Sequence, residues 1–190
     1  MIQPAPSRPT VVDEPAGLRV TIPARRYWYG IVFLAFWSVG WFAAELAVPF
    51  QILDPETTPS AKAFLTMWLL LWTAAGAFVI YTWLWLVSGR EVLLFDATSL
   101  TVSRETALFA RARNFDAHNV RDLRASPTTA PWSLMDARSS FVIWGLTGGH
   151  IAFDYGAKTY RFGAGIDEAE AKQIVKQILE RYPALGPHSP

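Results

Sequence analysis

Two long runs without basic residues dominate this sequence. Residues 27–53 hold a single carboxyl side chain, Glu45, and residues 63–87 hold no charge of either sign. At about 1.5 Å of rise per helical residue, either run is long enough to cross a hydrocarbon layer about 30 Å thick. The sequence therefore predicts two transmembrane helices. The first is not expected to be a removable leader, because a polar, proline-containing segment of 26 residues precedes it and its apolar stretch is too long. Overall, 52% of the chain is hydrophobic and 17% charged, a balance unlike that of an ordinary soluble domain.

The connector "DPETTPSAK", Asp54 to Lys62, is short and carries Pro55 and Pro59, so the two helices are expected to form an antiparallel hairpin. Arg8, Arg19, Arg25 and Arg26 precede the first run and Arg90 and Arg104 follow the second, against Lys62 alone in the connector. Positive charge favours the cytoplasmic side, which predicts that both termini lie there. Gly40 and Gly76 lie equally far from Arg26 and Arg90, so they are expected to meet at one depth and let the backbones approach.

Three side chains inside the runs stand out. Glu45, about nine residues before the end of the first span, is a candidate functional carboxyl; alternatively it reaches the interface, or is protonated and bonded to Trp72 or Thr73. Trp37 and Trp41 sit one turn apart near mid-depth, where an indole N–H without an acceptor costs about 1–3 kcal/mol. A partner helix, a lipid carbonyl or a bound cofactor would supply the acceptor; alternatively both rings simply pack within the hairpin or point at lipid. Neither run holds a cluster of His, Cys or Met, so haem ligation is not expected.

The pattern changes at Gly89. "EVLLFD", "LTVSRE", "LFARARNFD", "NVRDLRAS", "SFVIWGL", "HIAFDY" and "TYRFG" read as about seven short strands, several alternating in polarity, with a tight-turn signal at Thr147-Gly148-Gly149. A helix follows, opened by Asp167 with Glu170 at capping-box spacing. Its apolar stripe is Ala171, Ile174, Val175, Ile178 and Tyr182, and Pro183 ends it.

Two spans, the "GRE" junction, "RNFDAHNVRDLR", "IAFDYGAKTYRFG" and "DEAEAKQIVKQIL" together resemble bacterial small membrane proteins that carry a pleckstrin-homology-like (PH-like) domain. The resemblance implies an α+β membrane protein: a transmembrane hairpin (residues 27–88), then a small antiparallel β-barrel or sandwich capped by a C-terminal amphipathic helix (89–183), with tails at 1–26 and 184–190. It also implies the bacterial cytoplasmic membrane, and a binding or assembly module rather than an enzyme.

Chemistry is sparse. There is no cysteine, and His118, His150 and His188 lack metal-ligand spacing. Ser139-Ser140 has no nucleophile-elbow context, and "GLTGGH" lacks the lysine of a phosphate loop. No cofactor is expected, and a net charge of +1 favours no nucleic-acid partner. Arg111 and Arg113 are candidate contacts for anionic lipid. Trp132, Leu134 and Met135, in a proline-punctuated loop, are candidates to grip a partner or touch the bilayer. The expected role is a non-catalytic scaffold or accessory subunit docking onto a larger integral membrane complex, respiratory, photosynthetic or transport. The alternative is an anionic-lipid-binding module.

Overall fold

The computed structural model describes residues 8–15, 17–126 and 148–186, and divides into a helical unit, residues 26–87, and a β unit on either side of it in sequence. The helical unit holds α1 (Trp28–Leu53) and most of α2 (Pro59–Ser88), both long and apolar enough to cross a membrane. Large apolar side chains point away from the hairpin, among them Phe36, Leu46 and Phe50 on α1 and Met67, Leu70 and Leu71 on α2. The second helix starts four residues before the uncharged run. Pro59 suits a first helical position, where its missing N–H is no loss, and the Thr58 hydroxyl accepts from the Ala61 amide at 3.4 Å.

Among the described residues, eight strands belong to the β unit. Strands β1 (Thr10–Glu14), β2 (Gly17–Pro23), β3 (Arg90–Phe95), β4 (Ser99–Glu105) and β5 (Ala110–Asp116) form an antiparallel sheet in that order. Strands β6 (Val120–Ala125), β7 (Ile151–Tyr155) and β8 (Lys158–Phe162) form a second one. Two expectations are corrected here. The described strands do not close into a barrel. The chain leaves β5 through a tight turn at Ala117–Asn119, held by the Asp116 carboxylate on the His118 amide, and starts a separate sheet at β6. Thr10–Glu14 and Gly17–Pro23, expected as tail, are instead two strands: in the second, Leu18, Val20 and Ile22 alternate with Arg19 and Thr21, and all three are buried. The strand expected at 140–146 lies outside the described residues.

The register sorts the first sheet's inner face into rows. Leu18, Phe95, Leu100 and Phe115 form one, and Val20, Leu93, Val102 and Arg113 the next. Ile22, Glu91, Arg104 and Arg111 form the third. Apolar members of these rows join Val120, Leu123, Ile151, Phe153 and Phe162 of the second sheet in one core. Helix α3 (Glu168–Arg181) adds Ala171, Ile174, Val175 and Ile178 to it. Its N-terminus has both capping-box bonds, Asp167 carboxylate to the Glu170 amide at 2.8 Å and Glu170 carboxylate to the Asp167 amide at 3.1 Å. Beyond its end, the Tyr182 hydroxyl donates to the Phe95 carbonyl at 3.0 Å.

Candidate functional site

Two groups of side chains carry what polar chemistry the described residues concentrate. The first is inside the hairpin. Gly76 faces the Trp41 indole so closely that a Cβ there would fall 1.9 Å from the ring, and Trp41 donates its indole N–H to the Trp72 carbonyl at 3.4 Å. Farther along, Trp83 donates to the Ile31 carbonyl at 3.1 Å. Both indoles thus find acceptors on the opposite helix, which is packing within the hairpin. Trp37 packs its ring 5.9 Å from that of Trp72, which also stacks on Trp68 at 4.8 Å. Gly40 departs from expectation: a Cβ there would meet nothing within 4 Å, so the close approach is made by Gly76 against Trp41, the next residue along.

Glu45 is half-buried opposite Thr73. The Thr73 hydroxyl lies 2.5 Å from Glu45 Oε1 and 2.8 Å from the Leu69 carbonyl. One hydroxyl hydrogen thus stands between two acceptor oxygens. Glu45 Oε2 and the Trp72 indole N–H are both buried with no hydrogen-bond partner. Pro49, four residues on, also lacks the N–H that the Glu45 carbonyl would normally accept from. Among the described residues, two of the three buried side-chain polar atoms without a partner therefore lie at this level of the hairpin, the third being His150 Nδ1 in the β unit.

The second group sits on the inner face of the first sheet. Glu91, 3% exposed, accepts from Arg104 Nε at 2.9 Å and Nη2 at 2.5 Å, and from the Gly163 amide at 2.6 Å. It joins β3 and β4 to the end of β8. Sequence reasoning missed it, yet its position was readable: Glu91 shares parity with the buried Leu93 and Phe95. Arg111 and Arg113 lie on edge strand β5, exposed, and neither makes an ion pair among the described residues. Trp132, Leu134 and Met135 lie outside the described residues.

Other electrostatic features lie in the β3–β4 turn and across the β6–β7 pair. Bonds from the Ser99 hydroxyl and the Thr98 and Ser99 amides hold the Asp96 carboxyl down to about 2. Arg124, hydrogen-bonded to Asp154 at 2.9 Å and also paired with Asp122, lowers the Asp154 carboxyl below its ordinary range, with help from Thr159. Asp122 stands at φ +52° in the bulge of β6, which turns its carboxylate to the same guanidinium. An open groove of about 670 Å³ runs between β1 and α3, lined by Arg8, Val11, Asp13, Ile174, Gln177 and Arg181. Among the described residues no group of three or more His, Asp or Glu side chains is placed to hold a metal ion.

No protein-family model, curated protein or solved structure matches this chain. No residue here inherits a role from a relative.

Proposed function

We propose that this chain is a non-catalytic membrane-anchored accessory or scaffold subunit of the bacterial cytoplasmic membrane, with both termini inside, that docks onto a larger integral membrane complex through its hairpin and β unit. The observation that carries this reading is the pairing of β2 with β3. The hairpin is inserted between these neighbouring strands, and Pro23 pairs with Arg90 directly across the insertion. Residues on the two sides of an apolar hairpin can share a sheet only if both return to one side of the bilayer. The arginine distribution makes that side the cytoplasm.

The connectors are short: residues 24–27 lead into α1, and Gly89 alone separates α2 from β3. At no more than about 3.6 Å per residue, the longer connector, five steps from Pro23 to Trp28, can reach at most about 18 Å. Such a double tether suits a module that works at the membrane surface. Docking in the bilayer is supported by Glu45 Oε2 and the Trp72 indole, since polar groups unsatisfied within one hairpin are what a neighbouring helix in hydrocarbon can answer. Elements resembling a PH-like domain fit the same role, as a binding rather than a chemical module.

The test is native mass spectrometry of gently solubilised membranes. The chain is expected in fixed stoichiometry with other integral proteins; recovery as a lone, monodisperse monomer would refute the proposal. A tag inserted at residue 58 is expected outside and one at the C-terminus inside. A second reading, an anionic-lipid-binding module, is favoured by the exposed guanidinium groups of Arg111 and Arg113 on β5, which make no ion pair among the described residues.

A further inference from the structure

We infer that the β4–β5 turn is an apolar wedge which enters the same membrane leaflet from which α2 emerges, with Arg111 and Arg113 set behind it for anionic phospholipid headgroups. This rests on the proposal that the hairpin spans a bilayer. Leu108 is 68% and Phe109 60% exposed, the most exposed large apolar side chains among the described residues outside the two helices and their flanks. They are held outward by a built turn. The Thr106 amide donates to the Phe109 carbonyl at 2.7 Å, and the Phe109 amide donates to the Thr106 hydroxyl at 3.0 Å.

The position of the turn argues for lipid over any other occupant. Ser88 is the last residue of α2, and its hydroxyl accepts from the Ala107 amide, inside the turn, at 3.0 Å. Two residues on, Arg90 pairs with Glu105 in the register and through a 2.8 Å ion pair, and Glu105 pairs in turn with Ala110. The apolar tip is therefore pinned to the point in the chain where the second membrane helix ends. Adjacent exposed Leu and Phe side chains with basic residues behind them match a membrane interface, where apolar groups leave water and guanidinium groups meet phosphate. Arg104 is taken up by Glu91, whereas Arg111 and Arg113 stay free of ion pairs among the described residues.

The chain contains no cysteine, so single-cysteine spin labels report cleanly on the full-length protein. Three labelled variants, each one chain per nanodisc containing phosphatidylglycerol, suffice: Ala107→Cys beside the wedge, Phe36→Cys on the outward face of α1, and Ala97→Cys in the β3–β4 turn. That last turn lies about 20 Å away along the strands. The label at residue 107 is expected to be shielded from a water-soluble relaxation agent and open to oxygen, as at 36, while the label at 97 stays open to the agent. Adding Leu108→Ser and Phe109→Ser should remove the shielding at 107. Adding Arg111→Ala and Arg113→Ala should lower the ratio of inserted to lifted tip by roughly 30-fold, about fivefold per guanidinium. A residue-107 label as accessible as the one at 97, with 36 shielded, overturns the wedge and leaves the membrane proposal standing. Accessibility at 36 as well overturns both. Shielding at 107 that needs more than one chain per disc overturns the wedge in favour of contact between copies.

Discussion

Replacing Glu91 by Ala should cost the β unit about 3 kcal/mol, and replacing it by Gln about 1 kcal/mol. The carboxylate is 3% exposed and holds two kinds of partner, the Gly163 amide on one oxygen and Arg104 on the other. Alanine strands the Gly163 N–H without its acceptor, a loss of about 2 kcal/mol for a buried donor. The ion pair adds less, about 1 kcal/mol, because the Arg104 side chain is 31% exposed and water compensates it when the carboxylate is gone. Glutamine keeps the volume and a carbonyl oxygen for Gly163, but turns its NH2 toward the Arg104 guanidinium and so loses the ion pair with its hydrogen bonds. Exchange of the Gly163 amide with deuterated solvent, followed by mass spectrometry in detergent, reads the first part directly. Urea unfolding of the same samples, followed by near-ultraviolet circular dichroism, reads the sum. Equal destabilisation by the two variants, or unchanged protection at Gly163 in the alanine variant, would refute the reasoning, because the amide bond would then not be the main contribution.

In the hairpin, Gly76→Ala forces a methyl group into the Trp41 indole and should weaken helix pairing by about 1–3 kcal/mol in a steric-trapping measurement, whereas Gly40→Ala, facing open space, should be near neutral. Thr73→Val removes the hydroxyl beside Glu45 Oε1 and should cost about 1–3 kcal/mol by the same measurement. Glu45→Leu should instead strengthen the isolated hairpin while reducing recovery of partner proteins. Asp96 has its folded-state value lowered to about 2 from an ordinary 3.8. Its contribution is therefore fully present above 3.8 and is lost as pH falls through about 2, with no effect between pH 5 and 8; carboxyl chemical shifts checked by NMR titration should show this midpoint. Arg124→Ala should raise the Asp154 midpoint toward the ordinary carboxylate range, since the Arg124 bond is the largest cause of its depression.

Much of this was readable before the structure because burial and charge follow simple spacing rules. The two helices declare themselves by length alone, and Asp167 with Glu170 marks a helix start because both bonds of the box are local. What was not legible depended on contacts between segments far apart in sequence. Residues 10–23 carry the alternation Leu18, Val20, Ile22, but surrounding prolines and arginines made them look like tail. Only the unpaired edge of β3 shows why they fold. The separation into two sheets likewise depends on long-range pairing: among the described residues β5 pairs with β4 and not with the strands that follow it. In the hairpin, small residues indicate close packing in general, but which glycine faces the other helix depends on rotation about the axis, and Gly76, not Gly40, does so. Glu91 could have been singled out: a carboxylate on the inward parity of a strand, with an arginine at the matching parity of the next, implies a buried pair.

The insertion of a hairpin between adjacent strands has a consequence for biogenesis. When β2 leaves the ribosome, its partner β3 is still residues 24–89 away, roughly 3 to 13 s of synthesis at ordinary rates. During that interval the first two strands wait with a bare edge. If the helices lie in the bilayer as proposed, the wait ends only when the second helix has inserted in the correct sense, since a misinserted one delivers β3 to the wrong compartment. Completion of the sheet then depends on correct topology, and a chain inserted the wrong way keeps an unpaired strand edge.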